Sequence, residues 1–154
     1  MYFISNILIV IFTALMPGIE ARGAIPLALA LGFDPFIGLL MSYIASSLPS
    51  IILVYGLSWL EKHIISKITF ARKIYQYALS KARKKAVEVE KYNIVYIGLS
   101  LYVAIPLPLT GVWTGSLIAH ILGLNKLKSI ISIFIGNFMA CILILLPSYV
   151  LITS

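Results

Sequence analysis

Charged residues and cysteine are what this sequence has least of. Charged residues make up 11% of its 154 residues, whereas soluble domains carry about a quarter. Hydrophobic residues make up 61%. This balance excludes an ordinary soluble domain and is typical of an integral membrane protein. The single cysteine, Cys141, excludes an internal disulfide.

Several sequence signals of other protein classes are also missing. No Lys or Arg precedes the first apolar segment and no small-residue cleavage site follows it, so we expect that segment to remain in the mature protein. The chain has no glycine-rich phosphate loop after a strand, no metal-spaced His/Cys set and no nucleophile–base pair. We therefore predict a protein that is not an enzyme and uses no cofactor or metal.

The basic residues are concentrated in one segment. Residues 61–91 hold nine Lys/Arg and three Glu. Because Lys and Arg collect in cytoplasmic loops, this excess indicates that 61–91 lies on the cytoplasmic side of the membrane. Membrane topology thus explains the basic excess, and we expect no nucleic-acid partner. Apolar residues recur in 61–91 at helical spacing, which predicts an amphipathic helix lying on anionic lipids at the cytoplasmic surface. A plain basic connector helix fits the same pattern.

Apolar segments of two lengths alternate along the chain. Residues 35–60 and 129–153 are long enough to span a bilayer, which needs about 20 residues. Segments 2–16, 24–33, 92–105 and 113–124 are too short to do so and are separated by Pro and Gly. Short paired segments of this kind favour re-entrant helical hairpins.

The two halves of the chain are related by an offset of 91 residues, which places Gly32 on Gly123 and Asp34 on Asn125. We predict an all-α integral membrane protein of one domain. Its first repeat is 1–60, the linker is 61–91 and the second repeat is 92–154. Each repeat is a re-entrant hairpin plus a transmembrane helix. Since one repeat crosses the membrane an odd number of times, the second is inverted, which places Lys126 and Lys128 on the cytoplasmic side with the linker.

Two charged residues interrupt the first apolar region, in PGIEARGAIP at 17–26. Glu20 and Arg22 are two residues apart among helix breakers, so we expect them in a loop at the bilayer midplane. Pro26 suits the first turn of a helix over 24–33. A second half-helix, 113–124, begins at TGVWTG. Two helix N-termini and Arg22 would then converge on an anion, while Glu20 carries a coupling proton.

The candidate binding residues are Glu20, Arg22, Gly23, Pro26, Thr110, Gly111, Trp113, Thr114 and His120, and the candidate hairpin tips are Pro17, Gly18, Pro106, Pro108 and Gly115. Several of these residues also fit a purely structural role. Glu20 and Arg22 fit a buried pair that fixes the loop, the small residues near 110–115 fit close backbone packing, and Trp113 and His120 fit packing and a hydrogen-bonded structural role.

The motifs PGIEARGAIPLALALGF and IPLPLTGVWTGSLIAHILGL resemble the putative small multidrug export protein family, which looks related to the DedA, or SNARE-associated, membrane protein superfamily. The resemblance implies two facing re-entrant hairpins, each followed by a transmembrane helix. The relation to the DedA superfamily implies flipping of lipid-linked phosphates and dependence on the proton-motive force. By position, Glu20 would match the acid of the family's hairpin and Arg22 one of its hairpin arginines. The second hairpin departs from the DedA pattern, because it has Trp113 and no charge before Lys126.

Three functions remain open. The first is a small secondary transporter or lipid translocase, proton-coupled, that moves an anionic amphiphile such as a lipid-linked phosphate. The second is an exporter of lipophilic cations that uses Glu20. The third is a non-transporting membrane organiser whose basic helix recruits a partner. Two spans and two hairpins make a thin wall, which favours a homodimer.

Overall fold

The computed structural model describes residues 2–63, 80, 93–107 and 110–153. These residues form six helices: α1 Tyr2–Leu15, α2 Glu20–Ala30, α3 Pro35–His63, α4 Ile94–Ala104, α5 Val112–Leu122 and α6 Lys126–Thr153. No strand occurs in the part described, which confirms the prediction of an all-α fold. Most of the predicted 61–91 helix lies outside the described residues, and the start of that segment belongs to α3.

Two helices are long and apolar enough to cross a membrane, within 35–59 and 126–151. At 29 and 28 residues, α3 and α6 measure about 43 and 42 Å, against a hydrocarbon core of about 30 Å. Pro49 does not end α3. Ser46 and Ser50 beside it donate to helix carbonyl oxygens, at 3.2 Å to Tyr43 and 2.7 Å to Ser47.

Equivalent turns lead into the two long helices. Gly32 and Gly123 adopt positive φ angles of 80° and 68°, a conformation that glycine reaches without a Cβ penalty. Asp34 Oδ1 then accepts hydrogen bonds from the first turn of α3, at 2.9 Å from the Phe36 amide. Asn125 Oδ1 accepts from the Lys128 amide at 3.2 Å in the first turn of α6. Both caps satisfy helix N–H groups that have no intrahelical partner.

The offset of 91 residues also relates the helices themselves. Adding 91 to the bounds of α1, α2 and α3 gives those of α4, α5 and α6 to within two residues. The packing is reciprocal, since α2 packs on α6 and α5 packs on α3, while α3 and α6 pack on each other. Each half is therefore a short helical hairpin followed by a long helix that reaches into the other half.

Polar residues lie inside the fold and large apolar residues lie outside it. Ser42, Ser46, Ser50 and Asn137 are at most 3% exposed, whereas the outer face of α6 exposes large side chains such as Leu146, at 64%. A protein surrounded by water distributes these groups in the opposite way. Hydrocarbon around the long helices explains the exposed apolar face, and hydrogen bonding between helices explains the buried hydroxyl and amide groups.

Candidate functional site

The Glu20 carboxylate lies at the N-terminus of α5. It is 3% exposed and accepts hydrogen bonds from the backbone amides of Val112, at 3.0 Å, and Trp113, at 3.3 Å. These are the first two residues of α5, where helix N–H groups have no intrahelical partner and the helix dipole is positive. A carboxylate fits this position because it neutralises the dipole and satisfies both donors.

The backbone of Glu20 adopts an unusual conformation, with a φ of 52°. A side chain with a Cβ is disfavoured there by about 1–2 kcal/mol. Strained backbone of this kind concentrates at functional sites, where the surrounding contacts hold it in place. At Glu20 the strain accompanies a buried carboxylate that crosses from the first hairpin to the second.

The Arg22 guanidinium bonds the turn that leads from α4 to α5, just before the α5 N-terminus that Glu20 bonds. It donates to the carbonyl oxygens of Leu107 and Ile105, the latter at 3.1 Å, and at 3.0 Å to Thr110 Oγ1. Thr110 Oγ1 in turn lies 2.6 and 2.7 Å from the Ile105 and Leu107 carbonyl oxygens. These groups follow the C-terminus of α4, where carbonyl oxygens lack helical donors and the helix dipole is negative.

Glu20 and Arg22 thus bond separate ends of two consecutive helices in the second half. The Glu20 carboxylate lies at the positive end of the α5 dipole, and the Arg22 guanidinium lies at the negative end of the α4 dipole. Neither charge is left alone in an apolar environment, which would cost several kcal/mol. We call Glu20, Arg22 and the backbone groups that they bond the hairpin clasp.

Gly111 makes the approach of Glu20 possible. A Cβ placed on Gly111 would overlap the Glu20 carboxylate. The Gly111 backbone is extended, with a φ of −86° and a ψ of −159°, which any residue can adopt. Glycine is therefore needed here because it has no Cβ, which leaves room for the carboxylate. Gly111 is also the residue that lies 91 positions after Glu20. The two halves therefore contact each other at equivalent positions, an acid in one and a glycine in the other.

Trp113 adds a second feature to this end of α5. Its indole Nε1 is buried, and no hydrogen-bond partner is found for it in the described part of the chain. Indole N–H groups in buried positions usually have a partner. The neighbouring Thr114 hydroxyl lies 3.4 Å from the Gly111 carbonyl oxygen, within the first turn of α5.

Two local expectations about the first hairpin are wrong. Glu20 and Arg22 lie in α2, which begins at Glu20 rather than at residue 24, so they are not in a loop. Pro26 is consequently inside the helix rather than in its first turn, where it removes the donor that would bond the Arg22 carbonyl. Gly23 lies inside α2 too, and a Cβ there would overlap the Ile19 side chain. The helix begins early because its first turn is held by contacts with the other half.

The remaining predicted residues fall in different places. Pro17 and Gly18 form the turn between α1 and α2, where Gly18 has a φ of 87°. Pro106 is in the connection after α4, and Pro108 lies outside the described residues. Gly115 is not at a tip: it is inside α5, where a Cβ would lie 2.7 Å from Val103 Cγ2 of α4.

His120 is not brought to the clasp. It lies eight residues after Val112, about 12 Å along α5. There it lines a cavity of about 270 Å³ together with Lys126 and Ser58. Among the described residues, no group of three His, Cys, Asp or Glu side chains is placed to hold a metal ion.

Asn137 is one of the buried polar residues that sequence reasoning missed. Its amide nitrogen donates to Ser46 Oγ at 2.8 Å and to Ser47 Oγ at 2.9 Å. A signal for it was present, since Asn137 is a polar residue in an apolar span and lies 91 positions after Ser46. This contact joins α3 to α6 at the centre of the fold.

No curated protein and no solved structure matches the chain. Residues 20–143 match the family of the putative small multi-drug export protein. The match begins at Glu20 and contains the residues of the hairpin clasp, all of α3 and α6 as far as residue 143. The two apolar helices and this match together make the chain a membrane protein, and it belongs to the putative small multi-drug export protein family.

Proposed function

We propose that the chain is a proton-coupled transporter of an anionic amphiphile, such as a lipid-linked phosphate, and that the hairpin clasp is its site. The observation that carries the proposal is the Glu20 carboxylate, 3% exposed on the first two amides of α5. A helix N-terminus is a ready anion site. Here the anion that occupies it belongs to the protein itself and can be neutralised by a proton.

Protonation of Glu20 is the step that couples proton and substrate. A neutral carboxyl group accepts weaker hydrogen bonds than a carboxylate, by roughly a factor of two. The amides of Val112 and Trp113 then become available to a phosphate oxygen. The nearby Arg22 guanidinium and Trp113 indole N–H supply further donors. Proton and anion therefore enter the site together, which keeps the buried charge balanced.

The helix lengths support a midplane position for this site. The short helices measure about 16 to 21 Å, less than the hydrocarbon core of about 30 Å. In the proposed arrangement both hairpins are re-entrant and the two halves are inverted, so that their tips meet near the middle of the membrane. The segment 61–91, Lys126 and Lys128 then face the cytoplasm.

Ligand-dependent thermal stability of the full chain tests the proposal. The probes are a short-chain polyprenyl monophosphate and the lipophilic cation tetraphenylphosphonium, each at low and high pH. We expect the phosphate to raise Tm more at low pH, and Glu20→Gln, which resembles the protonated acid, to bind it at both pH values. Arg22→Gln should remove the response. Asp34→Asn is the matched control, because Asp34 is exposed and asparagine caps a helix equally well.

Export of lipophilic cations is the second candidate, and it is favoured by a buried carboxylate in a chain of this family. It predicts the opposite pattern. Tetraphenylphosphonium would stabilise the protein at high pH, Glu20→Gln would abolish that effect and Arg22→Gln would leave it. A non-transporting organiser, for which the clasp is only structural, predicts that neither probe shifts Tm and that paired apolar replacements of Glu20 and Arg22 retain function.

A further inference from the structure

A groove runs along the outside of the second half, between α4 and α6. It has a volume of about 570 Å³, within the range of small-molecule sites. One end carries Lys128, Asn93 and Tyr96, and the other end reaches Met139. The walls between are mainly apolar and include Ile97, Leu101 and Ile135.

The polar end of the groove is organised around the Lys128 ammonium. Its Nζ donates to Asn93 Oδ1 at 3.0 Å and lies 5.4 Å from the centre of the Tyr96 ring. An ammonium has three N–H donors, so a phosphate oxygen can bind beside Asn93. Lys128 is exposed, which leaves the cation accessible from the groove mouth.

The length of the groove matches one leaflet of a bilayer. Lys128 and Met139 are eleven residues apart on α6, or about 16 Å. Half of a hydrocarbon core of about 30 Å is about 15 Å. Lys128 lies in the first turn of α6, a helix longer than the core is thick, so the cation is at headgroup level. The groove therefore extends from the headgroups to the middle of the membrane.

The groove is specific to the second half of the repeat. The residues 91 positions before Lys128, Ser132 and Ser100 are Ile37, Met41 and Ile9. Beside the groove α4 and α6 approach each other closely, since a Cβ on Gly136 would overlap the Ser100 carbonyl oxygen. The corresponding residue in the first half is Ala45. The first half has no cation at the matching position on α3.

We propose that this groove binds an anionic phospholipid of the surrounding membrane, with one acyl chain along the groove and the phosphate on Lys128. The charge at one end, the apolar walls and the one-leaflet length all match that occupant. This site is separate from the hairpin clasp and from the lipid contact predicted for 61–91. It does not depend on the proposed transport function, because lipid retention requires no turnover.

Lipid binding to the full chain in neutral detergent tests the proposal. Phosphatidylglycerol, phosphatidylcholine with the same chains, and inorganic phosphate are added separately, and retained lipid is counted by native mass spectrometry alongside Tm. We expect phosphatidylglycerol to be retained and to stabilise most. Lys128→Gln should weaken its binding about fivefold. Lys126→Gln is the control, because Lys126 lies over the Tyr55 ring outside the groove.

A second pair of variants tests whether an acyl chain lies along the groove. Ile135→Trp fills the groove and should reduce retention, whereas Ile44→Trp, at the equivalent and similarly exposed position of α3, should not. Equal retention of both lipids, equal stabilisation by inorganic phosphate, or an unchanged affinity in Lys128→Gln would overturn the proposal. So would a change of oligomeric mass in Ile135→Trp without a change in lipid binding, which would assign the groove to a second copy of the chain.

Discussion

Asn137 and Ser46 occupy equivalent positions, 91 residues apart, and the Asn137 amide donates a 2.8 Å hydrogen bond to Ser46 Oγ. Tyr43 and Phe134 are a second equivalent pair, with ring centres 6.3 Å apart. Equivalent residues of the two halves therefore meet where α3 packs on α6, and this contact includes both hydrogen-bonded polar groups and aromatic rings.

Removing the amide at this contact should destabilise the fold. Asn137→Ala leaves Ser46 and Ser47 without their shared donor, and we expect a loss of about 0.5–2 kcal/mol, the range found for hydrogen bonds between membrane helices. Unfolding in mixed micelles measures it. In the double variant with Ser46→Ala the losses should be less than additive, and strictly additive losses would contradict the contact.

Adding one methyl group at Gly111 should disrupt the hairpin clasp. In Gly111→Ala the new Cβ displaces the Glu20 carboxylate, and losing charge-assisted bonds to Val112 and Trp113 should cost about 2–3 kcal/mol. Thermal unfolding of the purified chain measures this cost.

The matched control for that substitution is Gly56→Ala. Gly56 lies inside α3, and a Cβ there has nothing within 4 Å, so alanine should be neutral or stabilising by up to about 1 kcal/mol. In a Glu20→Ala background, Gly111→Ala should cost much less, because the group that it displaces is gone. A full cost in that background would rule out displacement of the carboxylate as the cause.

Replacing Arg22 by another cation should not preserve its hydrogen bonds in the clasp. Arg22→Lys retains a cation but loses the planar fork that donates to Ile105, Leu107 and Thr110. We expect a loss of about 1–2 kcal/mol in the free energy of unfolding. Lys126→Arg, at a cation outside the clasp, should change stability by less than about 0.5 kcal/mol. Equal effects of the two exchanges would show that only charge matters at Arg22.

Separating α4 from α6 should destabilise the protein. A Cβ in Gly136→Ala overlaps the Ser100 carbonyl and lies 2.9 Å from Val103 Cβ, and overpacking of this kind typically costs about 1–3 kcal/mol. Gly98→Ala is the control, since a Cβ on Gly98 in α4 has nothing within 4 Å. Thermal unfolding compares the two, and similar stabilities would contradict the close approach of the helices.

Local sequence features predicted much of the fold correctly. Composition indicated a membrane protein, the length of two apolar segments located α3 and α6, and the Pro17–Gly18 pair marked the turn between α1 and α2. The aligned glycines and the Asp34–Asn125 pair marked the two turns before the long helices. The repeat was visible in the sequence because the two turns have the same backbone conformation and helix cap, and so require similar residues at the same positions. The inverted, re-entrant arrangement and the sidedness stay predictions.

The start of α2 could not be predicted from local pattern. Pro17, Gly18 and Gly23 all disfavour a helix over Glu20 and Arg22, and the positive φ of Glu20 is strained. Bonds from both side chains to residues more than 80 positions away offset this cost. Likewise, nothing local distinguishes Gly115, which packs against α4, from a glycine at a hairpin tip.

The sequence by itself therefore determined the membrane environment, the lengths of the helices and their two-fold repetition, because these depend on composition and on short-range backbone preference. Tertiary structure alone decided which groups neutralise Glu20 and Arg22, that Asn137 meets Ser46, and that a groove with a cation at one end opens between α4 and α6. Those features arise where distant segments converge, and their energies come from long-range hydrogen bonding and packing that no single segment encodes.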